Sequence, residues 1–408
     1  MKNENYAYDF RQEIEFSGVK YYYYPGLDSS HGDIEMMLTS DIKDMSEICN
    51  ENPHAIGFNS NGWLKSSIKS NLRDWDLHDI AQFQGTYVKK EYIDEKEERD
   101  IKVSECITNC IQNCTLITCL YNLAVREDHK ERRSIEEYKQ YADYVLTKKN
   151  YMIIFCDSEL KDYIREKRQS FGLLEKTYII SDGLEKLETY NYLKYIENNF
   201  KTNRPIDYDR RKRTPLYTIL TNAKFDMILK GIELDPFKTS HFGWIDIGVS
   251  HVDNTTNIGL IGDKIRLTCI FNTTKQELED LNSFYTKISY KIAFGYCTGK
   301  LEYMHKMSML AKEEFIRATK LGFSPLEEHI ISYLYCTNRD LFEPYYGDYQ
   351  QCISNYEYLC ENKDIVFRNL RYCLQTGDTL EIENIKKYIK ESANKGLILN
   401  EEQIRLIN

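Results

Sequence analysis

Residues 114–123, CTLITCLYNL, form a compact apolar run with β-branched residues, which is typical of a buried strand. An amphipathic helix pattern follows at 133–148, and YMIIFCD at 151–157 repeats the strand pattern. A second helix pattern at 158–170 leads to a third strand, KTYIIS, at 176–181. This βαβαβ order predicts an α/β domain with a mixed, mainly parallel sheet and helices on both faces.

The ends of the first two predicted strands carry polar residues. Tyr121, Asn122 and Arg126 follow the first strand, and Asp157 follows the second. Ligands of parallel α/β sheets bind beyond the carboxyl ends of the strands. We therefore expect these four residues to approach a ligand.

The sheet pattern continues in the second half of the chain. Thr214 before Pro215 begins a helix that runs to about residue 234, with apolar residues at helical spacing. Further patterns indicate a strand at 263–271 and a glycine-broken strand followed by a long helix at 290–322. A helix over 325–336 and a polar, helical tail complete the chain.

The stretch HFGWIDIGVSH, residues 241–251, places one carboxylate, Asp246, in an apolar strand pattern. An ionised carboxylate inside a strand is unfavourable unless it is paired or binds a cation, so we expect Asp246 at the strand end. There it is suited to hold Mg²⁺ or Mn²⁺, with His251 as a second ligand. The alternatives are a carboxylate that caps a turn and an ordinary loop histidine.

Other candidate residues lie nearer the C-terminus. Gly295 and Gly299 would allow a backbone to approach a ligand closely, although a bulge or turn explains them equally well. Glu327 and Glu328 at a helix start could act as acid or base, or could only stabilise the helix dipole. Asp348 could line a site or close a turn.

Composition limits the classes of function. The chain has 408 residues and a net charge of −10, and its basic residues stand mostly in mixed runs, so no nucleic-acid partner is expected. The exception is the basic run RPIDYDRRKRTP at 204–215, which could meet a phosphate-bearing ligand or be a solvated loop. No signal peptide or membrane span is predicted, and a cytoplasmic location with reduced thiols for the 12 cysteines is expected.

The first hundred residues predict a small α+β module. An aromatic strand broken by Pro25-Gly26, a short helix at 41–53 and a strand pair joined by Asn61-Gly62 follow one another. The charge run at 91–105 indicates a linker. Cys106, Cys110 and Cys114 stand four apart, which predicts a row on one helix face that packs as small apolar residues rather than a zinc site.

A set of motifs in a fixed order resembles the HtrL/YibB-type (WlaTC-related) glycosyltransferases. The motifs are TLITCLYNL, MIIFCD, TPLYTILTNAKFDMI, PFKTSHFGWIDIGVSH, AFGYCTGK, EEHIISYL and YYGDY, and they cover about Cys114 to Tyr349. The resemblance implies a GT-A-like (Rossmann-like) fold, a nucleotide-sugar donor that is UDP-linked, and Mn²⁺ or Mg²⁺. It further implies a glycan or glycoprotein acceptor, and a homodimer is an additional expectation.

The resemblance also implies roles for single residues. Asp246 would occupy the place of the D-x-D metal motif, but Gly248 stands where its second aspartate would be, so His251 or Asp348 would help to hold the metal, unless none is needed. Glu327 or Glu328 would be the base for the acceptor hydroxyl. The donor-binding residues would be Tyr121, Asn122, Arg126, Asp157, Lys224, Gly295 and Gly299.

The N-terminal module has its own resemblance. YYYYPGLDSSHGDI, ICNENPHAIGFNSNGWLK and GTYVKK are similar to a PAN/Apple-type adhesion module of the kind found beside glycosyltransferases in large DNA viruses. This likeness implies a viral protein in the host cytoplasm or virion. Cysteine-rich relatives carry a cysteine where Ala55 stands, so the disulfide usual for Cys49 is not expected.

Together these observations predict three parts: the module at 1–105, a GT-A-like glycosyltransferase domain at 106–350 and a C-terminal helical extension at 351–408. The expected function is sugar transfer from a nucleotide sugar. A catalytically inactive relative that binds glycans or proteins is the first alternative, because the second aspartate is missing. A nucleotide-sugar hydrolase or a nucleotidyltransferase on the same sheet is the second.

Overall fold

The computed structural model describes residues 11–29, 33–68, 75–78, 83–126, 133–203, 214–253, 262–287, 291–353, 363–393 and 399–408. By its internal contacts the chain divides into two compact units, Met1–Glu105 and Cys106–Asn408. Residues 204–213 of the basic run lie outside the described residues. Among the helices of the described ranges, none has both the length and the apolar character needed to cross a membrane.

The first unit is a mixed helix and sheet structure. Its main sheet is antiparallel with the order β1-β2-β8-β5-β6-β4, and β3 pairs with β7 separately. The elements are β1 (Gln12–Phe16), β2 (Val19–Pro25), β3 (Leu27–Asp28), β4 (Asp33–Met36), α1 (Ile42–Glu51), β5 (Gly57–Asn59), β6 (Trp63–Lys65), β7 (Asp76–Leu77) and β8 (Gly85–Lys89).

Helix α1 closes one side of this sheet. The Asp41 carboxylate caps the helix by accepting hydrogen bonds from two backbone N–H groups of its first turn. Met45 and Cys49 then pack against Phe58 in the core of the unit. The Cys49 thiol is free and buried, 3.9 Å from the carbonyl oxygen of Ala55.

The charge run expected to be a linker is helical. Residues 91–105 belong to α2 (Lys90–Asn113). Glutamate and lysine are good helix formers, and an i,i+4 pair, Lys90 to Asp94 at 2.5 Å, supports the first turn. The charge run ends at the boundary between the two units, but its charge alone did not predict that it is helical.

The cysteine row follows the helix only part of the way. Because α2 ends at Asn113, Cys114 is the first residue of the next strand. Cys110 and Cys114 are both free and fully buried. These two therefore pack as small apolar side chains, as expected, and the side chain of Cys106 lies outside the described residues.

Among the described residues of the second unit, seven strands form one mixed sheet in the order β11-β10-β9-β12-β14-β13-β15. Strands β11, β10, β9 and β12 are parallel, while β14 is antiparallel to both of its neighbours. The strands are β9 (Cys114–Leu120), β10 (Tyr151–Cys156), β11 (Thr177–Ile180), β12 (His241–Ile245), β13 (Arg266–Cys269), β14 (Ile292–Lys300) and β15 (Tyr345–Tyr346). The predicted mixed, parallel-rich sheet is confirmed.

Helices cover both faces of this sheet. Alternate residues of a strand point to opposite faces, and Ile153 packs in the cluster that holds α6 whereas Ile154 packs in the cluster that holds α3. The helices are α3 (Ile135–Leu146), α4 (Lys161–Ser170), α5 (Leu193–Thr202), α6 (Pro215–Leu234), α7 (Leu281–Thr286), α8 (Leu301–Lys320), α9 (Glu327–Thr337), α10 (Lys363–Thr376), α11 (Thr379–Ala393) and α12 (Glu401–Ile407).

Helix α6 is the central helix of the second unit. The Thr214 side chain accepts a hydrogen bond from the Tyr217 N–H and Pro215 opens the helix, as the sequence predicts. Most of its 20 residues are buried, because it lies between the sheet and α8. A helix enclosed in this way holds its side chains in fixed positions, including Lys224.

Strand β14 is continuous rather than broken. Its pairing with β13 skips residues between Ala293 and Cys297, so Gly295 lies in a bulge. The glycine signal therefore marked an irregular pairing and not the end of a strand.

The C-terminal helices belong to the second unit. Val366 of α10, Ile389 of α11 and Ile407 of α12 are buried in the same cluster as the sheet residues. The Tyr388 hydroxyl also donates to the backbone oxygen of Tyr346 in β15. The helical extension thus shares the core of the sheet.

Candidate functional site

A cavity lies at the carboxyl ends of β9 and β12. Its walls come from the residues after β9, the start of α3, the first half of α6, the end of β12 and Tyr349. In chain order, β10 pairs with one side of β9 and β11 pairs with β10, whereas the next strand, β12, pairs with the other side of β9. The cavity is therefore at the topological switch point, where open α/β sheets bind ligands.

Asp246 follows directly on β12 at the edge of this cavity. Its backbone N–H donates to the Gly295 oxygen at 2.8 Å, which continues the pairing with β14 by one residue. Its Oδ1 accepts hydrogen bonds from Trp244 Nε1 at 2.7 Å and Lys224 Nζ at 2.8 Å. The side chain is 37% exposed and borders the cavity. The contacts of Oδ1 with Trp244 and Lys224 fix its position.

Lys224 is held between two carboxylates. Its Nζ lies 2.6 Å from Glu327 Oε1, in addition to the contact with Asp246. The ammonium also lies 5.5 Å from the ring centre of Trp244 and 5.8 Å from that of Phe294. The sequence pointed to all three charged residues, with Lys224 as a donor-binding residue, but it did not show that this lysine is buried, at 5% exposed.

The ionised forms of Lys224 and Glu327 stabilise each other. Burial by itself would lower the pKa of Lys224, but the carboxylates of Asp246 and Glu327 outweigh it and raise that pKa well above its ordinary value. Burial likewise opposes ionisation of Glu327, yet the Lys224 ammonium lowers the pKa of that carboxyl. The cluster therefore presents an ammonium, and Glu327 is occupied as its counter-ion.

The loop after β9 is held by Asp157. This carboxylate is 3% exposed and accepts the Asn122 N–H at 2.7 Å and Arg126 Nη1 at 2.9 Å. Tyr121 and Asn122 line the cavity, whereas Arg126 and Asp157 are paired with each other behind them. The pair thus positions the loop.

The two predicted glycines have different surroundings. Gly295 lies beside Asp246, whose Oδ2 would be 3.6 Å from a Cβ at this position. Gly299 pairs with Phe242, at the opposite end of β12 and about 13 Å along the strand from Asp246. A Cβ at Gly299 would be 2.9 Å from the side chain of Ile265, so close packing explains this glycine.

The residues expected to hold a metal already make contacts with other protein groups. His251 lines the cavity, but its Nδ1 contacts the Gly248 oxygen, and Asp348 Oδ1 accepts the Tyr349 N–H at 2.6 Å. Within the described part of the chain, no group of three or more His, Cys, Asp or Glu residues could hold a metal ion. The carboxylate that would be the main ligand already has an ammonium 2.8 Å away.

The structure adds residues that the sequence did not single out. Tyr217 and Thr221 lie seven and three positions before Lys224 on α6 and line the same cavity. Their helical spacing from the lysine is the signal that would have found them. Arg133 and Tyr138, beside and on α3, were not foreseen.

A family of bacterial proteins of unknown function, HtrL_YibB, matches residues 112–353. No curated protein matches the chain.

Three solved structures show weak likeness. The apo crystal structure of mouse xyloside xylosyltransferase 1 is 9% identical, covering 56% of this chain and 84% of its own, with a TM-score of 0.31. The structure of 4-diphosphocytidyl-2C-methyl-D-erythritolsynthase from Anaerococcus prevotii DSM 20548 is 11% identical, covering 66% of this chain and 98% of its own, with a TM-score of 0.29. The PaToxG glycosyltransferase is 13% identical, covering 78% of this chain and 94% of its own, with a TM-score of 0.26. At such TM-scores these likenesses decide neither fold nor activity.

Proposed function

The chain belongs to the HtrL_YibB family, and from the geometry of its cavity we propose that it is a glycosyltransferase. It would move a sugar from a nucleotide-diphosphate sugar, UDP-linked, to a glycan or glycoprotein acceptor. One observation carries the proposal: a buried ammonium with two carboxylates, Lys224 with Asp246 and Glu327, stands at the switch point of a parallel-rich sheet.

The lining of the cavity suits a nucleotide sugar. Aromatic rings supply flat apolar surface for a base or a sugar, and Asn122 and Thr221 supply polar groups that orient a ligand. The aromatic lining residues are Tyr121, Tyr138, Tyr217, Trp244 and Tyr349. A GT-A-type assignment, with the donor at the ends of β9 and β12, is part of this proposal.

The charges suit the chemistry of transfer. The acceptor oxygen attacks the anomeric carbon, the bond from that carbon to the diphosphate oxygen breaks, and the diphosphate leaves with the electron pair. An ammonium such as that of Lys224, placed in a site of low dielectric, stabilises the negative charge that develops on the leaving group. The hydroxyl proton of the acceptor passes to a carboxylate.

Glu328 is the better of the two candidate bases. Glu327 is the counter-ion of Lys224, whereas Glu328 stands beside it on the first turn of α9 and is half-buried. Burial raises the pKa of the Tyr349 phenol, and the charges of Glu328 and Asp246 raise it further. Both carboxylates therefore lie near this cavity residue.

Exchange of each glutamate separates the two roles. We expect Glu328→Gln to lower the transfer rate by about a hundredfold to ten-thousandfold, because a positioned base contributes on that order, with nucleotide binding unchanged. Glu327→Gln should instead weaken nucleotide binding, since Lys224 loses a partner. Rate measurements with saturating donor, beside nucleotide titrations, compare the two variants, and a Glu328→Gln rate equal to wild type would exclude this base.

Nucleotide binding tests the proposed function directly. We expect UDP or a UDP-sugar to stabilise the protein by about 2.7 kcal/mol at 100 times its Kd, which calorimetry detects as a rise in Tm of several degrees. UDP release that requires an acceptor glycan identifies a transferase, while release without an acceptor indicates a hydrolase. Binding without release indicates an inactive relative, and no binding of any nucleoside diphosphate contradicts the proposal.

The N-terminal unit is proposed as the recognition module. Its antiparallel sheet with one capped helix is compatible with the PAN/Apple resemblance, which stays a prediction. The Mn²⁺ or Mg²⁺ implied by the resemblance of the second unit also stays a prediction, and the transfer steps given above do not use it.

A further inference from the structure

We propose that Lys224, assisted by Arg133, binds the donor diphosphate in the place of a divalent cation, so that nucleotide binding is independent of metal. The inference rests on the proposed function and deepens it. It differs from the expectation of Mn²⁺ or Mg²⁺ that the sequence resemblance gave.

The first argument is where the cation stands. A metal held by Asp246 at the end of β12 would sit in front of that carboxylate, and Lys224 Nζ already lies 2.8 Å from Asp246 Oδ1 and 2.6 Å from Glu327 Oε1. A divalent ion between the same carboxylates would be repelled by the ammonium. The glycine at position 248, where the metal motif has its second aspartate, is consistent with this replacement.

The second argument is that the ammonium is built into the fold. Lys224 extends from the enclosed helix α6, is 5% exposed, and has the rings of Trp244 and Phe294 beside it. Removing the ammonium would leave the Glu327 carboxylate, which is 7% exposed, without its counter-charge. A mobile surface lysine would show none of these contacts.

The third argument is the charge that a ligand meets. Lys224 borders the cavity, and among the described residues its ammonium contacts two carboxylates, which leaves one of its three N–H donors for a ligand. Arg133 borders the cavity as well, while Glu327 does not. The described residues that face the ligand thus carry two cationic groups against one carboxylate, Asp246, which favours an anionic diphosphate.

The fixed cation also accounts for the role of Asp246. Its carboxylate holds the Lys224 ammonium at the cavity wall and is itself held by the Trp244 indole N–H. When the bond to the diphosphate breaks, the free N–H of Lys224 would donate to the leaving oxygen. Asp246 is in this scheme a positioning residue.

The test measures UDP binding by isothermal titration calorimetry in EDTA and again with Mn²⁺ or Mg²⁺. We expect the Kd of the wild-type chain to differ by less than about threefold between these conditions. Lys224→Met should weaken UDP binding by about tenfold to a hundredfold in both, because a hydrogen bond to a charged group contributes about 1.5–3 kcal/mol.

Matched variants control for folding. Lys230→Met changes the same residue type on the same helix, at a side chain that is 40% exposed and paired with Asp182, and should bind UDP as the wild type does. If Lys224→Met unfolds because Glu327 is left unpaired, the double variant Lys224→Met/Glu327→Gln removes both charges together. The comparison of UDP binding to the wild-type chain with and without a divalent metal needs no variant.

The outcomes separate the two proposals. UDP binding that requires Mn²⁺ or Mg²⁺, or that Lys224→Met leaves unchanged, overturns the inference and leaves the glycosyltransferase proposal standing. Failure of UDP and of the other nucleoside diphosphates to bind under either condition overturns both. Metal-independent binding that Lys224→Met weakens and Lys230→Met does not is the result expected.

Discussion

Asp246→Asn is expected to lower sugar transfer by about a hundredfold to a thousandfold, the range seen when a preorganised electrostatic group is removed from an active site. The amide oxygen can still accept the Trp244 indole N–H, so the end of β12 keeps its geometry. The charge that holds Lys224 is lost, and the ammonium is then drawn toward Glu327 alone. Transfer fails because the cation is displaced from the leaving group.

The measurement is the rate of UDP release with donor and acceptor at saturation, accompanied by thermal unfolding to show an intact fold. Asp235→Asn is the matched control, since it makes the same chemical change at the far end of α6. Asp235 has φ of +32°, in the left-handed region that asparagine tolerates well. Full activity of Asp246→Asn would remove Asp246 from the mechanism.

Arg168→Met is expected to lower the free energy of unfolding by about 4 kcal/mol, the largest effect on stability that we predict. Arg168 is fully buried on α4 and donates from Nε to Thr177 Oγ1. Its Nη1 donates to the backbone oxygens of Leu146 and Lys148, and its Nη2 to that of Asn150. Methionine fills a similar space but leaves these carbonyl groups buried without donors.

Chemical denaturation, followed through the unfolding transition that Arg168→Met shifts, measures this effect, and Arg165→Met is its control. Arg165 lies on the same helix, but its side chain is 45% exposed and pairs at the surface with Asp162. Its loss should change the free energy of unfolding by no more than about 0.5 kcal/mol. Equal effects of the two exchanges would show that the buried hydrogen bonds of Arg168 contribute no more than a surface pair.

Residue patterns alone were sufficient for much of the second unit. The alternation of apolar runs and amphipathic helices predicted β9 to β11 with α3 and α4, and Thr214-Pro215 predicted the start of α6. Asp246 was predicted at a strand end because a carboxylate is unfavourable inside an apolar strand. These features depend on neighbours along the chain, and so the sequence carries them directly.

Two local sequence signals, a charge run and a glycine, each had more than one physical explanation. The charge run at 91–105 indicated a linker, but the same glutamates and lysines favour a helix, and α2 forms there. Gly299 was expected near the donor, but it allows close packing against Ile265. The residue pattern could not decide between these causes, because the choice depends on which residues lie nearby in space.

The sequence by itself determined which residue types were available: a carboxylate after a strand, a lysine on a predicted helix and a glutamate pair at a helix start. Only the tertiary structure joined Lys224 to Glu327, which is 103 positions away in the chain, and both to the end of β12. The physical reason is that the periodicity of apolar residues shows only which face of a single helix or strand is buried. The pairing of buried charges follows from how α6 and α9 pack on the sheet.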